Sequence, residues 1–116
     1  MDEKRFRQLV KEAMNSLPPE FAKKLDNVAV VIEDSPTKEK LRRLKLPSWT
    51  LLFGLYEGVP QTKRGYYSGT LPDKITIYKN PIERVAETEK EIKAQVRATF
   101  VHEIGHHFGL SDEQLK

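Results

Sequence analysis

Apolar residues recur at helical spacing near the start of the chain. Phe6, Leu9, Val10, Ala13, Met14 and Leu17 share one side of residues 2 to 17, with charges opposite. That pattern predicts an amphipathic helix that needs a core to lie on. Pro18-Pro19 ends it, and Pro19, with φ already fixed and no N–H to satisfy, suits the start of a short second helix reaching Lys24. VAVVI, residues 28 to 32, is continuously apolar and mostly β-branched, which predicts a strand covered on both faces and so an inner strand of a sheet. From Ser35-Pro36 a polar connection, helical as far as Leu44, leads to a second strand at residues 50 to 56. Gly58, Pro60, Gly65 and Gly69 mark a long loop of the kind that is uncommon unless functional. KITIY, residues 74 to 78, alternates Ile75 and Ile77 with polar neighbours, the signature of a half-exposed or edge strand. Asn80-Pro81 with Glu83 predicts a capped short helix, and Thr88 with Glu91 a capping box that opens the last long helix. No repeat, low-complexity tract or boundary interrupts the chain, so one domain is expected over residues 1–116.

On the wheel of the last helix, Ile92, Val96, Phe100, Ile104 and Phe108 form a drifting apolar stripe. His102 and His106 fall on another side, continuous with Gln95 and Thr99, so they are expected to face a polar cleft. His107 projects near Phe100, roughly 100° from His106 in azimuth, and is expected to be a packed structural histidine.

Composition narrows the function classes. With 38% hydrophobic and 32% charged residues, and no apolar run long enough to span a bilayer, the chain reads as soluble and globular without a membrane role. The start, MDEKRFRQLV, has no signal-peptide pattern, and cysteine is absent, which together suggest a cytoplasmic location. Without cysteine, any metal must be held by His, Asp or Glu. The net charge of +3 is small, and the basic stretch Lys38, Lys40, Arg42, Arg43 and Lys45 carries no interleaved aromatic. A solvated helix surface is therefore preferred there to a nucleic-acid patch.

The chemistry concentrates in HEIGHHFGLSD, residues 102 to 112. On a helix His102 and His106 are ~40° apart in azimuth and one turn apart in height, so their imidazoles can converge on one ion. Glu103 turns away from the bisector, better placed to touch an activated water than to ligate. Gly109 can take the left-handed conformation that ends a helix. The reversal brings Asp112 back as a third ligand, with Glu113 as its rival. Three protein ligands leave a position open, the catalytic pattern for Zn²⁺.

HEIGHHFGLSD fits the pattern HExxHxxGxxD, and with GLYEGVP (54 to 60) and SGTLPDKITIY (68 to 78) it resembles the small bacterial zincin-like metallopeptidases, or minimal zincins, over residues 51 to 113. The aspartate variant is also similar to the longer, secreted snapalysin-type proteases. The resemblance implies an α+β fold: a small mixed sheet of about three strands packed with helices, the C-terminal helix carrying zinc. It also implies His102, His106 and Asp112 as ligands and Glu103 as catalytic base of a hydrolase. Zinc would polarise the scissile carbonyl and acidify a water, from which Glu103 takes a proton for the leaving amine. Tyr66 or Tyr67 is the candidate oxyanion donor, and strand 74 to 78, if at an edge, could pair with an extended peptide or protein substrate. Larger metzincins continue into a methionine-containing turn, and the methionines here are Met1 and Met14. Narrow specificity is expected, with a partner protein completing the cleft as one route to it. The alternative is a zinc-binding interaction module that turns nothing over.

Overall fold

The computed structural model describes residues 1–58 and 72–109. Helix α1 (Glu3–Asn15) opens where the Asp2 carboxylate accepts the Arg5 N–H at 2.7 Å, satisfying one of the donors a helix start leaves free. It buries Phe6, Leu9, Val10 and Ala13, the stripe expected of it. Helix α2 (Pro19–Lys24) starts at Pro19. Asn27, at φ 67°, then turns the chain into β1 (Val28–Glu33), a left-handed step that asparagine tolerates better than most residues. Thr37 caps α3 (Lys38–Arg43), and its hydroxyl accepts the Lys40 N–H at 3.0 Å. Strand β2 is Gly54–Glu57, shorter than expected at its start, and β3 is Asp73–Tyr78.

β3 runs directly into α4 (Lys79–Val85). Asn80 is therefore inside that helix and does not cap it. Its backbone N–H donates to the Asp34 carbonyl at 2.8 Å and its side-chain amide to Ser35 Oγ at 3.0 Å, tying α4 to the chain leaving β1. The last helix, α5 (Glu89–His107), opens with the expected capping box: the Thr88 hydroxyl accepts the Glu91 N–H, and the Glu91 carboxylate accepts the Thr88 N–H, both at 3.1 Å.

The sheet order is β1-β3-β2, with β1 parallel and β2 antiparallel to β3. Five helices on a three-stranded mixed sheet, counted among the described residues, make an α+β fold. Two strand expectations are reversed. KITIY is the central strand, and VAVVI lies at an edge among the described residues. Register explains why. Ile75 and Ile77 pair with Val30 and Ile32 on one side and with Tyr56 and Gly54 on the other, which builds the sheet face that meets α1 and α5. The intervening Thr76 and Tyr78 are each 1% exposed, so the opposite face is covered too. Burial pushes the Tyr78 phenol up to about 12. In β1 every residue from 28 to 32 stays partly exposed.

The core joins Phe6 and Leu9 of α1, Ile75 and Ile77 of β3, and Val96, Phe100 and Ile104 of α5, all fully buried. On the opposite face, Lys40 of α3 reaches Glu57 of β2 at 2.8 Å, and that ammonium is the main reason the Glu57 carboxyl lies below its usual range.

Candidate metal centre

Helix α5 carries His102, Glu103 and His106 near its C-terminal end, on either side of Ile104, its last core residue. The two imidazole centroids lie 4.1 Å apart with the rings tilted by 50°. The ligand-capable atoms of His102, Glu103 and His106 all fall within 4.8 Å of one another. Both histidines are exposed and Glu103 is half-buried.

The half-burial comes from β2. The Tyr78 N–H donates to the Phe53 carbonyl, so in the antiparallel alternation Phe53 and Leu55 turn their backbone polar groups toward β3. Gly54 and Tyr56 therefore turn theirs away from β3. The Tyr56 N–H is taken by a Glu103 carboxylate oxygen at 3.2 Å. The helix can come this close because position 54 is glycine: a Cβ there would sit 2.6 Å from Cγ2 of Thr99. Between residues 52 to 54 and the Gln95, Thr99, His102 and Glu103 side of α5 lies an open cleft of about 250 Å³. His102 thus lines a cleft of mixed polarity together with Gln95 and Thr99, the side the wheel predicts for it, while His106 is exposed and not part of that lining.

His107 departs from its expected place. It is not in the core: its side chain is 35% exposed and its ring stacks on Tyr56 at 3.9 Å and 24°. Its Nε2 lies 3.9 Å from Asp73 Oδ2, the atom that accepts the Tyr56 hydroxyl at 2.9 Å. Phe108 is likewise exposed, edge-on to Tyr56, with the Lys24 ammonium 4.7 Å over its ring. The apolar stripe continues along the sequence, but the core it would enter ends at Ile104. Gly109 takes φ +65°, the left-handed helix stop expected of it. Asp112, Glu113, Tyr66 and Tyr67 lie outside the described residues. Sequence reasoning missed Tyr56 and Asp73; the only trace was a glycine two residues before a tyrosine on one predicted strand.

Two neutral-capable imidazoles and a carboxylate, with no lysine or arginine among them and no cysteine in the chain, fit a divalent metal of zinc's preferences. The model of the zincin-like metallopeptidase family matches residues 25–116. The chain belongs to that family. The zincin-like match extends the resemblance back from residue 51 to residue 25, taking in β1 and α3. In fold, the chain is similar to a conserved hypothetical protein from T. thermophilus, with TM-score 0.60, 22% identity, and coverage of 93% of this chain and 94% of that one. No curated protein matches it. Among the described residues no helix is long and apolar enough to cross a membrane.

Proposed function

We propose that the protein is a zinc metallopeptidase of narrow specificity, in which His102, His106 and Asp112 hold the ion and Glu103 is the general base. The observation that carries this reading is the pairing of two convergent histidines with a glutamate held from the side. One Glu103 oxygen is engaged by the Tyr56 N–H, and the other is left to accept a proton. When bound, zinc supplies Lewis acidity toward a carbonyl oxygen and toward water.

The remaining tasks fall to the chain's own groups. Glu103, half-buried between β2 and α5, takes a proton from water at its second oxygen and delivers it to the departing amine. Among the described residues β3 is interior and β2 lies at an edge, so substrate pairing moves from β3 to β2. The Tyr56 N–H on that edge is occupied by Glu103, so residues 52 to 54 are the stretch against which an extended peptide fits the cleft.

Metal analysis of the purified protein and of His106→Ala, coupled to a cleavage-site screen on a peptide library, tests the proposal. Stoichiometric zinc in the parent, its loss in the variant, and cleavage at a restricted set of sites are expected. A variant that keeps parental zinc affinity removes the ligand assignment. Stoichiometric zinc with no cleavage anywhere in the library would make the protein a zinc-binding interaction module instead.

A further inference from the structure

Among the described residues, little of the core reaches the last turn of α5. Beyond Gly105 the described residues of this turn are all exposed, and helix ends leave backbone carbonyls without helical partners. Yet His106 sits in this turn, and a ligand pair is useful only if both rings keep their direction. The contacts around His106 converge on one residue of the neighbouring sheet, Tyr56. Its backbone N–H binds Glu103 at 3.2 Å, its ring stacks on His107 at 3.9 Å, and its hydroxyl is anchored to Asp73 of β3 at 2.9 Å. Gly58 closes over the same spot, where a Cβ would lie 3.3 Å from His107 Cε1.

Helix geometry gives this arrangement a consequence. Residues 103 and 107 are four apart and form one ridge of α5, and residues 102 and 106, also four apart, form the adjacent ridge. We infer that Tyr56 is a positioning residue for the metal centre: it grips the Glu103–His107 ridge from the sheet and thereby fixes the rotation of the turn that presents His102 and His106. Its effect on the ion is exerted through those side chains and not by contact. The metal half of this inference rests on the proposed zinc site; the clasp itself does not.

Three variants test it. Tyr56→Ala removes both stack and anchor, Tyr56→Phe keeps the stack and loses the hydroxyl that binds Asp73, and His107→Ala removes the other half of the stack from an exposed position. Zinc affinity is read by competition with a chromophoric chelator, the Co²⁺ absorption spectrum reports ligand geometry, and amide exchange is followed along α5 without metal. Loss of a residue that orients metal ligands typically costs about 10–100-fold in affinity. Tyr56→Ala and His107→Ala are expected to fall in that range with an altered Co²⁺ spectrum, and Tyr56→Phe to recover most of the loss. Amide exchange should quicken at residues 104 to 108 and stay parental over residues 92 to 100. Parental zinc affinity together with parental exchange in the last turn, in folded Tyr56→Ala or His107→Ala, overturns the inference. If the parent itself binds no zinc, the site reading fails separately and exchange alone decides the clasp. If Tyr56→Ala does not fold, His107→Ala decides it.

Discussion

The two ends of α5 are held in place by different physics. From Thr88 to Ile104 the helix has a satisfied cap and an apolar stripe, Ile92, Val96, Phe100 and Ile104, with no member more than 2% exposed. Burial of that kind is strong but non-directional, and it needs no particular partner atom. Beyond Gly105 the described residues of the helix are exposed and meet the sheet through directional contacts, the stack of His107 on Tyr56 and the edge-on approach of Phe108 to the same ring. One helix thus separates a buried, stabilising start and middle from an exposed end that carries the candidate metal centre.

The hardest blow to the first half is Phe100→Ala. Phe100 is fully buried and lies in one core with Phe6, Leu9 and Ile75. Removing a buried phenylalanine side chain typically costs about 3–5 kcal/mol, a large share of the ~5–15 kcal/mol by which domains are stable. Urea denaturation should show a midpoint shift of that order. A loss under about 1 kcal/mol would mean the helix does not depend on its stripe, and the contrast between its ends would collapse.

A smaller effect is expected at the cap. Thr88→Ala removes the hydroxyl that accepts the Glu91 N–H, and such caps are worth about 1 kcal/mol. Here pH sharpens the test. The Thr88 hydroxyl and backbone N–H hold the Glu91 carboxyl below its ordinary 4.5. A depressed carboxyl stabilises the fold above its unfolded value, and that contribution is lost as pH falls through the folded value. The difference between parent and variant should therefore be full near neutrality and shrink in acid below about 4.5. A difference that is constant down to strong acid would show the capping box contributing nothing through its glutamate.

What the sequence displays follows the same division. The cap, the stripe as far as Ile104 and the ridge of His102 and His106 were legible because each is periodic within one element. The strand order was not. VAVVI is apolar at every position because, as the parallel neighbour of β3, it has both faces partly covered; that leaves open whether a second strand lies beyond it. KITIY alternates because Thr76 and Tyr78 face the second layer, where they are buried in spite of their polar atoms. The clasp was illegible for a related reason. Tyr56 reaches Glu103 and His107 only because β2 pairs antiparallel to β3 in the register that sets Tyr56 opposite Ile75. The wheel set His107 beside Phe100 as a packed histidine; it packs, but on Tyr56 and not in the core, because a wheel carries no information about where the core stops.

The smallest expected effect on stability, and the most decisive for the other end of the helix, belongs to Glu103→Gln. The amide oxygen of glutamine can still accept the Tyr56 N–H, so the side chain keeps its seat between β2 and α5. With that bond preserved at a half-buried position, stability should stay within about 0.5 kcal/mol of the parent. His102 and His106 are untouched, so zinc content should hold. What disappears is the carboxylate's affinity for a proton, and general-base assistance is typically worth about 10²–10⁴-fold in rate. Cleavage of whichever peptide the library screen identifies should fall by that factor in a protein that melts like the parent. The profile is the inverse of Phe100→Ala, which should cost stability first. If the glutamine variant releases zinc, Glu103 belongs to the ligand set and the proton must be taken elsewhere. If it cleaves at the parental rate, the end of α5 is not where the proton is handled, and the division of labour along the helix is wrong.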